Sequence, residues 1–194
     1  MDTHSPPDVV RRGTLVELRR HHPSNRDAFV RWYRDPDIAE LLRHDLEPLN
    51  EIQANGYFLS IVMPSSVQGT CWAIHDARTG ELVGSTAVTD IDRVNGTCLF
   101  RIVIGEKSAW GQGFGTEATS LAVAEAFETL RLQTVRLEVF SHNLRAHHAY
   151  LRVGFTQTGS HDEWVSRRRR RIHVLEMKLD RSTWEAWHST PLEG

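Results

Sequence analysis

The chain predicts a single α/β domain built on a mixed, mostly antiparallel sheet of about seven strands with flanking helices. Three observations lead there. Strand-like and helix-like segments follow the order β-αα-βββ-α-β-α-ββ. No Gly/Ser/Pro-rich stretch or internal repeat divides them. The 194 residues, 40% hydrophobic and 25% charged, have the balance of one globular unit with a sizeable core. The domain is expected over 14–187, between a flexible N-terminal arm at 1–13 and a short tail at 188–194.

GTLVELR (13–19) alternates apolar and polar residues as a strand does. Ser24 and Asp27 have the spacing of a capping box opening a helix through Trp32, and Asp35-Pro36 reads as an N-cap with proline at the first helical position. Residues 50–62 continue as helix, with Gly56 as a weak point. CWAIHD (71–76) and ELVGSTAVTDI (81–91) flank a short DARTG connection, and Asn95-Gly96 turns the chain into a third strand, TCLFRIVIG (97–105). These three are expected to pair antiparallel in sequence order. In 115–132 one helical face collects Thr119, Ala122, Val123, Ala126, Phe127 and Leu130. TVRLEVF (134–140) returns to strand, and a helix from Asn143 to Val153 stops at Gly154, a left-handed cap. Strands near 155–164 and 171–179 and a final helical turn at STWEAW complete the order.

A formal net charge of −2 gives the whole chain no pull toward nucleic acid or an anionic membrane. No apolar run approaches the ~18 residues of a membrane span, and the start lacks a signal-like apolar segment. Cys71 and Cys98 stand at no metal-like spacing, so a reducing, cytoplasmic compartment is expected. His142, His147 and His148 cluster, but His147 and His148 diverge by ~100° on a helix, and no metal is expected.

WGQGFGTEA (110–118) sets three glycines at every second position between a strand and a helix. Unpaired N–H groups and the positive end of a helix dipole make that junction an anion site, and glycine lets the backbone close around phosphate oxygens. A plain loop is one reading. A P-loop needs Lys-Ser/Thr after its last glycine, which is absent. A dinucleotide fingerprint needs its third glycine where Thr116 stands. Another pyrophosphate carrier, with coenzyme A foremost, fits the remaining pattern.

The run IGEKSAWGQGFGTEA resembles the acetyl-CoA-binding motif of the GNAT N-acetyltransferase superfamily, more narrowly its RimJ/RimL-like branch. Downstream, NLRAHHAYLRVGF is similar to the family's second motif, with Asn143, Ala146, Tyr150, Gly154 and Phe155 in place. Trp110 departs from the superfamily's usual Gln/Arg but agrees with the branch. The likeness is close over about 81–155 and holds elsewhere only in element order.

The resemblance implies a cleft between splayed central strands, here 97–105 and 134–140, with Val103, Ile104 and Gly105 facing the pantetheine arm and an N–H there stabilising the oxyanion. Trp110, Gly111, Gln112, Gly113, Phe114, Gly115 and Thr116 would hold the pyrophosphate, and Asn143 the pantetheine amides. Tyr150, seven residues past Asn143 on the same helical face, would protonate the departing thiolate. Glu138 leaves the face shared by Leu137 and Val139 and is the candidate base, with a solvated strand carboxylate as its alternative. His142, Arg101 and Asp92 are weaker candidates for that role.

The expected activity is acetyl transfer from acetyl-CoA to a primary amine, a protein N-terminus or a small molecule, by direct attack. A non-catalytic acyl-CoA-binding regulatory or RNA/ribosome-associated module is the alternative. Arg167 to Arg171, placed at the turn between the last two strands, is either a solvated tip or a grip for an acidic or RNA partner. Dimers are common in the family, so a homodimer is one expected assembly. Trp32, Trp164, Trp184 and Trp187 are expected in the core, with an acceptor wall as the lesser reading for them.

Overall fold

The structure, a computed structural model, describes residues 9–189. Where one strand was expected over 13–19, two form a hairpin: β1 (Val9–Arg12) and β2 (Val16–Arg19). Part of the expected arm is therefore sheet, and 1–8 and 190–194 lie outside the described residues. The cause is Glu117. Its carboxylate accepts hydrogen bonds from the N–H groups of Thr14 (2.9 Å), Leu15 (2.6 Å) and Val16 (2.7 Å), donors that a turn leaves unpaired. Gly13 lets the chain pass, because a Cβ there would overlap that carboxylate.

Four helices follow: α1 (Arg26–Tyr33), α2 (Pro36–Leu42), and α3 (Glu51–Tyr57), which runs through a π turn at Phe58–Val62 into α4 (Met63–Val67). Asp35 caps α2 as expected, accepting from the Asp37 N–H at 2.8 Å. The box expected from Ser24 and Asp27 is made instead by His22 and Asn25 around a 3-10 turn at Pro23–Asn25. Phe29, Trp32, Ile38, Phe58 and Val62 bury a shared face against Cys71 and Val103 of the sheet.

Strands β3 (Cys71–Asp76), β4 (Leu82–Asp92) and β5 (Thr97–Ile104) pair antiparallel in sequence order. Helix α5 (Phe114–Ala124), extended by a π turn at Glu125–Thr129, carries the chain to β6 (Thr134–Phe140). After α6 (Leu144–Val153) come β7 (Thr156–Val165), β8 (Arg170–Asp180) and α7 (Arg181–Ser189). The eight strands lie in the order β1-β2-β3-β4-β5-β6-β8-β7, one more than expected because of the initial hairpin. β5 and β6 pair in parallel, and every other neighbouring pair is antiparallel.

Strand alternation divides the sheet into two working faces. Cys98 and Phe100 of β5 and Val135, Leu137 and Val139 of β6 join the main core beneath α5, α6 and α7. Thr119, Ala122, Val123, Ala126 and Phe127 supply the buried stripe of α5 and its extension, and Trp184 anchors α7. Val103 points to the opposite face, where α1 to α4 pack. Gly154 closes α6 at φ 106°, against the Trp187 ring.

Candidate active site

The cleft begins where β5 and β6 part. They pair over Thr97–Leu99 and Thr134–Arg136, after which no register joins them. A parallel pair that opens this way leaves main-chain groups without ladder partners. The Gly105 N–H donates to the Val83 carbonyl at 2.9 Å, so Gly105 faces β4. Backbone alternation then turns Ile104 and Ile102 toward the gap. The Ile104 carbonyl accepts from Trp110 Nε1 at 2.7 Å, which ties the loop after β5 to the cleft wall. Gly105 also meets the Trp32 indole so closely that a Cβ would overlap it. It therefore packs and pairs rather than faces the cleft, contrary to expectation.

A cavity of about 290 Å³ fills the gap, lined by Val103, Ile104, Trp110, Gly111, Gly113, Gly115, Thr116, Glu138, Asn143 and Tyr150. Two other expected contacts are absent from its wall. The Gln112 amide donates to the Ser108 carbonyl and holds the loop, and Phe114 is buried in the core as the anchor of α5. Gly111 (φ 75°) and Gly113 (φ 88°) occupy the left-handed region, where a side chain is strained. Gly113 is the N-cap of α5, and no side chain caps it. The first N–H groups of the helix thus remain available to an anion. Glu117 would oppose an anion there, but its carboxylate is turned to the β1–β2 hairpin.

Helix α6 adds what the sequence reading missed. Arg145, His148 and Arg152, at i, i+3 and i+7, line the same cavity. The Arg145 guanidinium lies 3.8 Å from the Trp110 ring centroid, a cation–π contact, and burial pushes its pKa down. That basic stripe was readable in LRAHHAYLRVGF as a helical spacing. Asn143 Oδ1 caps α6 by accepting from the Ala146 N–H at 3.2 Å, which leaves its amide NH₂ for other contacts.

Tyr150 is buried on the α6 side and packs edge-on to Phe100, ring centroids 6.2 Å apart. Burial pushes its phenol pKa up, so it holds its proton at neutral pH. Glu138 stands across the gap on the other sheet face. His44 Nε2 lies 3.6 Å from its carboxylate, and His44 Nδ1 lies 2.6 Å from Glu163. His161 continues the chain, 3.0 Å from Glu163 and 2.8 Å from Glu176. His44 comes from the loop after α2 and carries no motif, so the sequence offered no signal for it. Among the other base candidates, His142 Nε2 sits 3.0 Å from the Glu40 carbonyl, and Asp92 accepts from the N–H groups of its own turn at 2.9 and 3.0 Å.

A second cavity of about 440 Å³ lies on the α1–α4 face and shares Leu42, His44, Arg101, Ile102 and Val103 with the first. The shared residues come from β5, the end of α2 and the loop after it. In the arginine tract, Arg168 of the β7–β8 turn pairs with Glu47 of the loop after α2 at 3.1 Å, and Arg170 at the start of β8 pairs with Glu40 of α2. Cys71 and Cys98 are buried free thiols, and among the described residues no His/Cys/Asp/Glu group has the arrangement to hold a metal. No helix among them is long and apolar enough to cross a membrane.

Comparison with known proteins agrees with this geometry. Residues 16–156 match the family model described as an acetyltransferase (GNAT) domain. An uncharacterized N-acetyltransferase p20 of Bacillus licheniformis is 21% identical over 166 residues, 84% of this chain and 92% of that protein. The spermidine N(1)-acetyltransferase of Escherichia coli K12 is 29% identical over 114 residues, 58% of this chain and 60% of that one. Among solved structures, a spermidine N-acetyltransferase from Vibrio cholerae in complex with CoA and spermine superposes with a TM-score of 0.75 at 20% identity, covering 89% of this chain and 99% of that one. A GNAT-family acetyltransferase from Bacillus anthracis gives 0.74 at 11% identity, over 87% and 96%. With the glycine cradle, the split strands and the matched domain in agreement, this chain belongs to the GNAT family and is an acetyl-CoA-dependent N-acetyltransferase.

Proposed function

We propose that the protein acetylates a primary amine by direct attack within a ternary complex, with Tyr150 as the acid and Glu138 as the base. One observation carries this. A protonated phenol, Tyr150, and a carboxylate–imidazole pair, Glu138 and His44, line the first cavity, which shares β5 wall residues with the second. Acetyl-CoA supplies the activated acyl group. The N-terminus of α5 with Gly111 and Gly113 would hold its pyrophosphate, Arg145 and Arg152 would add positive charge, and the Asn143 amide would meet the pantetheine arm.

Glu138 takes the proton of the attacking amine, directly or through one water. His44 and the chain Glu163–His161–Glu176 spread that charge toward the surface. The N–H groups of Ile102 and Ile104, turned into the gap, donate to the carbonyl oxygen as negative charge develops on it. Tyr150 returns a proton to the departing sulfur, so the protons balance. The amine class agrees with the relatives whose names specify a polyamine acceptor, and WGQGFGTEA supports the RimJ/RimL-like branch within the family. Two buried thiols suit a cytoplasmic setting.

Thiol release from acetyl-CoA in the presence of an amine panel tests the proposal. Release that depends on an amine is the expected result. CoA binding without release for any amine would overturn it in favour of a non-catalytic binder.

A further inference from the structure

We infer that the acceptor is an amine bearing a carboxylate a few bonds from its nitrogen, with an apolar body, seated on the α1–α4 face and read by Arg101. The inference rests on the transferase reading above and narrows its substrate class.

The argument starts from strand parity. Arg101 is two residues from Val103 in β5 and opposite Ala87 in β4, so its side chain leaves the sheet on the α1–α4 face. The 440 Å³ cavity on that face has an apolar, aromatic wall. Phe29 stacks on Tyr33 with centroids 4.3 Å apart, and Tyr33 lies 5.4 Å from Tyr57.

The charges in this cavity are unequal. Its lining holds Arg43, Arg101 and His44 against a single carboxylate, Asp45. Asp45 is already matched, accepting from Arg43 Nε at 3.0 Å and from Arg43 Nη2 at 2.7 Å. Among the described residues Arg101 has no carboxylate within ion-pair distance. Burial pushes the phenols of Tyr33 and Tyr57 up, and the positive fields of Arg101 and Arg43, which line the same cavity, oppose that rise. Arg43 is held by Asp45 and the Glu47 carbonyl, and the two phenols bond each other, so Arg101 is the guanidinium in this cavity left to meet an acceptor.

A polyamine would bring further positive charge to this place, where like charges at close range disfavour binding. A carboxylate there can take paired hydrogen bonds from the planar Arg101 group. The acidic residues near the gap do not reverse the argument. Glu138 and Glu163 stand against His44, and Glu163 and Glu176 against His161, at the end where the amine reacts. Arg101 lines both cavities, which keeps the carboxylate close to the reacting nitrogen.

The test compares leucine, leucinamide and spermidine as acceptors for thiol release from acetyl-CoA. Leucine and its amide share an amine and a body and differ in the carboxylate. The expected kcat/KM for leucine exceeds that for the amide by about tenfold or more, and Arg101→Gln brings the ratio toward one. Because each ratio is taken within one protein, partial loss of fold does not imitate the result. Equal use of acid and amide, preference for spermidine, or an unchanged ratio in Arg101→Gln overturns the inference while the transferase reading stands. No release from any of the three, with acetyl-CoA bound, overturns that reading instead.

Discussion

On one face of the sheet, the α5–α6 half presents mostly backbone to its cavity. Left-handed glycines, an uncapped helix start and strand N–H groups freed by the β5–β6 split line it. On the other face, the α1–α4 half presents side chains from separate segments: Phe29 and Tyr33 from α1, Arg43, His44 and Asp45 from the loop after α2, Tyr57 from α3 and Arg101 from β5. A backbone site takes the constant part of a substrate, because main-chain geometry tolerates change at neighbouring side chains. A side-chain site takes the variable part and can be revised one residue at a time.

That contrast can be broken most sharply at Tyr150. Tyr150→Phe removes the proton donor and leaves the cradle intact, so kcat should fall by about 10²–10⁴-fold with the KM for acetyl-CoA nearly unchanged. Steady-state kinetics at saturating acceptor decides it, and unchanged turnover would remove Tyr150 from the mechanism. Glu138→Gln probes the opposite face. It should cost about 10–10²-fold in kcat/KM for the acceptor, partly recovered at alkaline pH where more of the amine is already deprotonated. A pH–rate profile of the same slope and height as the parent protein would exclude Glu138 as base.

The backbone half also depends on a packing device that the other half lacks. Glu117→Ala strands the N–H groups of Thr14, Leu15 and Val16, and should lower Tm by about 5–10 °C. Differential scanning calorimetry reads this, and the acceptor KM should change far less than Tm.

The smallest effect concerns the His–Glu chain on the acceptor side. Hydrogen bonds to Glu163 and Glu176 raise the His161 pKa, so its contribution is present below the ordinary value of about 6.5 and lost as pH rises through the raised one. Burial pushes the Glu163 pKa up, but hydrogen bonds from His44 and His161 outweigh it and bring it down. The Glu163 contribution is thus present above about 4.3 and lost as pH falls. His161→Gln should therefore lower Tm slightly, most between about pH 4.3 and 6.5. A Tm difference that does not vary with pH would show that the chain is not electrostatic.

How much could be read in advance differs between the halves for the same reason. The three antiparallel strands, the α5 stripe, the Asp35 cap and the Gly154 stop are local signals, each contained within a few residues. The glycines at 111, 113 and 115 and Tyr150 sit in two contiguous motifs, and all four line the first cavity. Gly105, Gln112 and Phe114 sit in or beside the first of these motifs, yet they face Trp32, the Ser108 carbonyl and the core. A motif names a segment, while the direction of each side chain depends on what packs against it. The β1–β2 hairpin was missed because its organiser, Glu117, lies more than a hundred residues away in the chain.

The sequence by itself determined the single α/β domain, the order of its main elements and the left-handed glycines before an uncapped helix start, all properties of short-range backbone chemistry. Only the tertiary structure decided that His44 stands beside Glu138, that Arg101 shares a cavity with Tyr33, Tyr57 and Arg43, and that the two cavities share a wall of β5. Those juxtapositions come from segments far apart in the chain, and strand register together with the packing of α1 to α4 sets which side chains they bring face to face.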